Sequence, residues 1–186
     1  LKKFIFIITV IILLGCNSKK PDSNGEKMVK KELRPFFDSD EIDHYYIDFK
    51  SDFEHLSKDN DLQVEKKKEF SSFFYWYYPN TVEKDFENLL LKYDYKKSKL
   101  SSKQQRQIQD VFSEKDSIQT NEFACIPEYR DVFIFKKKKK TIGIAKICFK
   151  CYRFQIIGSE IDTQYFGLWS ELDKLHNIVR SNEKKT

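Results

Sequence analysis

The sequence predicts an α+β domain: an antiparallel sheet meander, helices packed on one face of it, and a C-terminal helix. Three observations predict it. Val132-Phe133-Ile134-Phe135, Thr141 to Phe149 and Tyr152 to Ile157 are short runs of strand-forming residues, the first two joined across the lysine run Lys136 to Lys140. Phe166 to Arg180 repeats Leu168, Leu172, Leu175 and Val179 at helical spacing, with Trp169 and Ile178 widening the apolar stripe. Two helical segments precede the meander, and the order helix, helix, meander, helix suggests α+β segregation.

Along the chain, Met28 to Phe37 is a short helix or an extended lead-in, and Pro35 argues against a long helix. Ile42 to Phe49 has strand composition, Ser51 to Leu56 suits a helical turn, and polar Asp59 to Lys68 suits a loop. Phe70 to Tyr78 is expected as a strand closed by Pro79-Asn80. Asn80 can then cap a helix with Glu83 in the capping-box position, placing Val82, Phe86, Leu89, Leu90 and Tyr93 on one face. Ser101 or Ser102 can cap the next, with Gln104 or Gln105 behind it and Ile108, Val111 and Phe112 on its apolar side. Gly158 to Tyr165 is a loop.

Composition fits one domain with a real core. The 186 residues include 17 Phe and 10 Tyr but only 5 Gly and 4 Pro, which argues against a disordered stalk. The formal net charge of +5 is spread over interspersed residues, so no long basic face is implied and nucleic acid is not an expected partner. No P-loop, dinucleotide fingerprint, His-Glu-x-x-His or Ser-His-Asp order stands out, and the three His are scattered.

The N-terminus carries the strongest motif. Lys2 and Lys3 precede an apolar run from Phe4 to Leu14, broken only by Thr9, and then come Leu13-Leu14-Gly15-Cys16. The run is too short for a stable spanning helix, which needs roughly 20 residues. Leu13-Leu14-Gly15-Cys16 resembles the lipobox of bacterial lipoproteins. The resemblance implies lipid on the Cys16 thiol, cleavage between Gly15 and Cys16, and anchoring to the cell membrane or outer membrane on the exported side. Leu1 is taken as an alternative start. The expected organisation is a signal peptide over 1–15, a lipidated Cys and polar tether over 16–27, and one domain over 28–186. Possible partners beyond the membrane are an envelope protein or a glycan.

With Cys16 lipidated, Cys125, Cys148 and Cys151 remain. Counted outward from the lysine turn, all three fall at the far end of one hairpin, so their sulfurs are expected to converge. Four readings stay open: a structural disulfide from Cys125 to Cys148 or Cys151, which an exported compartment permits; a Cys148-x-x-Cys151 redox pair, which on a regular strand would need a bulge; a three-Cys zinc site completed by His44, His55 or His176; or buried unpaired thiols. Cys125-Ile126-Pro127 followed by Cys148-Phe149-Lys150-Cys151 resembles a pattern in small bacterial proteins and implies no activity. Glu128, Tyr129 and Arg130 stand beside Cys125 as possible lining of a small site.

Two further features admit a functional reading. Phe73 to Tyr78 is either core or a stacking surface for sugar or peptide. Lys136 to Lys140 is either a solvated hairpin tip or a contact to anionic lipid headgroups. The expectation is a non-enzymatic envelope lipoprotein without a cofactor; the alternative is a thiol-redox or metal-dependent protein using Cys125, Cys148 and Cys151.

Overall fold

Strand β3 (Asp131–Lys137) divides the core in two, because successive side chains on a strand point to opposite faces. The structure is a computed structural model and describes residues 33–48, 63–115 and 125–181. The expected signal segment, Cys16, the 16–27 tether, residues 28–32, the turn at 51–56 and His55 lie outside the described residues.

The sheet has five antiparallel strands in the order β2-β1-β3-β4-β5, with β1 at Glu41–Tyr46, β2 at Lys96–Ser98, β4 at Lys140–Cys148 and β5 at Arg153–Ile157. Among the described residues four helices complete the α+β fold: α1 (Gln63–Phe74), α2 (Phe86–Lys92), α3 (Ser102–Val111) and the C-terminal α4 (Trp169–Val179).

The helices divide between the two faces of the sheet. Phe133, Phe135, Ala145 and Ile147 pack with Ile108, Val111 and Phe112 from the α3 end and with Leu172, Leu175, Ile178 and Val179 of α4. Val132, Ile134 and Ile144 pack with Phe70, Phe73 and Phe74 of α1 and Phe86 and Leu90 of α2. The expectation of one covered face is thus refined. Both sides of β3 and β4 are apolar, and such strands need cover on both sides.

Local chemistry explains the boundaries. Ser101 accepts a bond from the Gln104 backbone N–H and the Gln104 side chain returns to the Ser101 N–H, the capping box anticipated for α3. β3 and β4 meet at a two-residue turn, Lys138-Lys139, both at positive φ (48° and 64°), as the right-handed twist of a tight hairpin demands. The C-terminal helix starts later than expected: Gly167 at φ 93° breaks the run, and helical geometry begins at Trp169.

Three expectations are corrected. The polar stretch assigned to a loop enters α1 at Gln63, and the aromatic run assigned to a strand is the end of α1 followed by an irregular loop. Phe70, Phe73 and Phe74 are one helical turn of apolar spacing hidden by the aromatics that follow them. α2 begins at Phe86, with Asp85 rather than Asn80 at its N-cap. Nothing in the sequence predicts β2: Lys96-Lys97-Ser98 has no apolar signal, in keeping with a short lysine-bearing edge strand.

Candidate functional site

The end of the sheet away from the Lys138-Lys139 turn gathers Cys125, Cys148 and Cys151. Cys125 and Cys151 are paired as a disulfide, with Cα atoms 6.0 Å apart. Cys148 ends β4 as a free, buried thiol in one cluster with Cys151 and Tyr129. Its sulfur accepts the Glu128 backbone N–H at 3.3 Å. Cys151 lies in the turn between β4 and β5 rather than on a strand, so the Cys-x-x-Cys spacing produces no pairing of Cys148 with Cys151.

A three-Cys site needs three thiolates, and two of these sulfurs are bonded to each other. Among the described residues no group of three His, Cys, Asp or Glu side chains is placed to hold a metal ion. His176 packs against the Phe149 ring at 4.9 Å.

A cleft of about 380 Å³ opens beside Cys148, lined also by Glu128, Arg130, Lys150, His176 and Arg180. Its charges are largely matched internally: Arg130 pairs with Glu128 at 2.7 Å and Arg180 with Asp131 at 2.7 Å. A larger groove of about 600 Å³ between Phe37 and Ile161 is lined by none of the cysteines, but Lys137 of the lysine run borders it.

His44 shows what the sequence order concealed. It is fully buried; its Nε2 lies 2.9 Å from Asp131 Oδ1 and its Nδ1 2.7 Å from Ser98 Oγ. Asp131 only accepts, so Nε2 donates to it. The sheet builds this contact: Ser98 stands opposite His44 across β1 and β2, while Asp131 is the diagonal neighbour across β1 and β3. The same Asp131 oxygen accepts from Arg180 just beyond α4. Ser98, His44, Asp131 and Arg180 thereby tie the edge strand, the central strand and the C-terminal helix together. The serine and carboxylate pair with each other's expected ring nitrogens relative to a hydrolase triad, and no described cleft reaches Ser98.

The most unusual buried group is Lys146, at 0 % exposure between the apolar residues Ala145 and Ile147 of β4. Its ammonium donates to the carbonyls of Phe73 (2.9 Å), Trp76 (2.6 Å) and Tyr78 (2.7 Å). It also lies 4.4 Å from the centre of the Tyr129 ring. Burial pulls its pKa down to about 7. Three carbonyl acceptors call for three N–H groups, which only the ammonium has, so the geometry is that of the charged form. Phe73 O belongs to the last turn of α1, where helical carbonyls lack partners and cations are favoured. The sequence signal was a single Lys two residues from Ile144 on the same strand face.

Lys146 acts with Gln155, its partner across β4 and β5. Gln155 Nε2 donates to the carbonyls of Tyr77 (2.6 Å) and Pro79 (2.9 Å). The loop after α1 is thus held by its backbone while its side chains turn outward: Trp76 is 61 %, Tyr77 55 % and Tyr78 37 % exposed. The expected aromatic strip therefore splits, with Phe73 and Phe74 in the core and the next residues at the surface.

The lysine run divides as well. Lys136 is tied to Asp43 (2.7 Å) and Glu87 (2.8 Å), and Lys137 to Asp38 at 3.0 Å, so only part of the run is open at the tip. No helix among the described residues is long and apolar enough to cross a membrane. Comparison with protein families, curated proteins and solved structures finds no match for this chain.

Proposed function

We propose that the chain is an exported lipoprotein, held by acyl chains on Cys16 at the outward side of a cell membrane or outer membrane, with a non-enzymatic binding or accessory role in the envelope. The anchor reading draws on Leu13-Leu14-Gly15-Cys16 and on the two or more acyl chains that stable attachment requires. The binding reading is supported by one observation above all: two of the three remaining sulfurs are bonded together and the third is buried. Reactive thiols need exposure and a stabilised thiolate. An envelope protein or a glycan is the proposed partner class beyond the membrane.

The test is metabolic labelling of the full chain with a clickable fatty acid. Wild type is expected to carry label and to fractionate with membranes; Cys16→Ala is expected to lose both. Full membrane retention of unlabelled Cys16→Ala would sink the anchor.

A second reading, an envelope thiol-redox or metal-dependent protein using Cys125, Cys148 and Cys151, is favoured by the position of Cys148 in the cleft with Glu128, Arg130 and His176. Native mass before and after reductant and chelator separates the two. A two-hydrogen deficit restored by reductant, with no metal adduct, favours the binding protein. A metal adduct lost to chelator favours the second reading.

A further inference from the structure

We infer that the Trp76-Tyr77-Tyr78 loop is a second membrane contact, seated in the lipid–water interface of the bilayer to which the chain is anchored. The contact rests on the lipid anchor at Cys16 and adds to it a fixed orientation of the domain.

The side chains have the right chemistry. Trp and Tyr carry an apolar ring with one polar tip, and they concentrate at the headgroup level of bilayers. Three of them follow one another here, all at the surface. Ile126, 71 % exposed, extends the apolar character. It lies on a segment stapled to the same region by Cys125–Cys151 and by the Tyr129 N–H to Phe74 carbonyl bond at 2.8 Å.

The backbone is prepared for a water-poor layer. Unpaired carbonyls are costly where water is scarce. In this loop the carbonyls of Trp76, Tyr77, Tyr78 and Pro79 are all taken by Lys146 and Gln155. Pro79 has no N–H to satisfy, and the Tyr78 N–H donates to Ser72 O at 3.2 Å.

Placement separates the two candidate faces. The lysine tip is the competing face. Lys139 in the turn and Lys146 on β4 are seven positions apart, which is about 23 Å along the strand, so the tip and the aromatic loop lie towards opposite ends of the sheet.

The experiment uses the full chain, expressed with its signal segment and carrying Trp169→Phe, so that Trp76 is its only tryptophan. It is reconstituted into phosphatidylethanolamine–phosphatidylglycerol vesicles, with or without bromine on the acyl chains, and the mass of Cys16 is read in the same sample. The expected result is strong loss of Trp76 emission in brominated vesicles. A Trp76→Phe chain retaining Trp169 should show little loss. Acylated Cys16 with unquenched Trp76 overturns the membrane seat and leaves the anchor standing. Unacylated Cys16 removes the anchor and the seat with it. Unquenched Trp76 whose emission instead shifts on adding a soluble N-acetylglucosamine oligomer overturns the seat in favour of a glycan. Circular dichroism of each variant, expected unchanged, confirms that an exposed side chain and not the fold was altered.

Discussion

Lys146 and Gln155 face each other across β4 and β5, and between them they hold five backbone carbonyls of the segment from Phe73 to Pro79. A cation buried without a carboxylate is costly. Here the end of α1 and the loop after it supply the compensating dipoles. The sheet thereby fixes the path of a loop that has no regular structure of its own.

Replacing Lys146 tests that role. Lys146→Met keeps the aliphatic stem and removes all three donors, leaving the carbonyls of Phe73, Trp76 and Tyr78 without them. Each buried acceptor left unpaired costs about 1–3 kcal/mol, so the variant is expected to lose about 3 kcal/mol or more in urea unfolding. Gln155→Ala, at the more exposed pair, is expected to lose about 1 kcal/mol. A Lys146→Met midpoint equal to wild type would show that water replaces the ammonium.

That clamp also marks the limit of what the sequence discloses. The class, the meander, the α3 capping box and the convergence of Cys125, Cys148 and Cys151 at one hairpin end follow from local periodicity and turn position. α1 did not, because Val64 to Glu69 has almost no apolar periodicity and its three core Phe sit against a run of surface aromatics. β2 did not, because an edge strand of Lys-Lys-Ser is defined by its neighbour's hydrogen bonds and not by its own side chains. The choice of Cys151 over Cys148 depends on the β4–β5 turn, and the Ser98–His44–Asp131 contact on a sheet order that joins residues far apart in the chain.

Asp43 sets an acid limit on stability. Burial alone would raise its pKa, but hydrogen bonds from Lys136 and Lys97 outweigh that and hold it below the ordinary value of 3.8. The unfolded chain therefore binds this proton more readily than the native one, and the contribution is present above pH 3.8 and lost as pH falls through the lower folded value. Lys136 is shifted upward from 10.5 despite its partial burial, because Asp43 and Glu87 accept from it; its share is present below pH 10.5 and lost as pH rises through the folded value. Because the burial of Asp43 offsets much of what Lys136 and Lys97 contribute, and Lys97 is itself exposed, the acid-side effect is expected at about 1 kcal/mol or less. Asp43→Asn should flatten the fall in stability between pH 4 and pH 2 relative to wild type, measured by urea unfolding. Parallel curves would assign the acid limit elsewhere.

The β3–β4 turn is built from the wrong residues for its shape. Lys138 and Lys139 both have positive φ, a region that costs most side chains roughly 1–2 kcal/mol and that Asn-Gly occupies readily. The main-chain bond from Lys138 N to Asp40 Oδ2 (2.9 Å) survives any substitution but proline. Lys138→Asn with Lys139→Gly is expected to raise stability by about 1 kcal/mol. A lower melting temperature in the double variant would mean that the lysine side chains contribute more than the backbone strain they bring.

The disulfide is the remaining lever, and it reaches the aromatic loop through one short segment. Cys125–Cys151 closes a loop of 26 residues, for which chain-entropy loss in the unfolded state predicts about 3.5 kcal/mol. From Cys125 the chain runs to Tyr129, whose N–H bonds to Phe74 O and whose ring lies beneath the Lys146 ammonium. Opening the bond should therefore lower stability and also loosen the support of Lys146. Cys151→Ser is expected to lose about 2–4 kcal/mol and to show faster amide exchange over residues 73–79. Cys148→Ala removes only a small buried sulfur, is expected to lose about 1 kcal/mol, and should leave exchange over residues 73–79 unchanged. Equal effects of the two variants on that segment would mean that Cys148, rather than the disulfide, holds the loop's foundation in place.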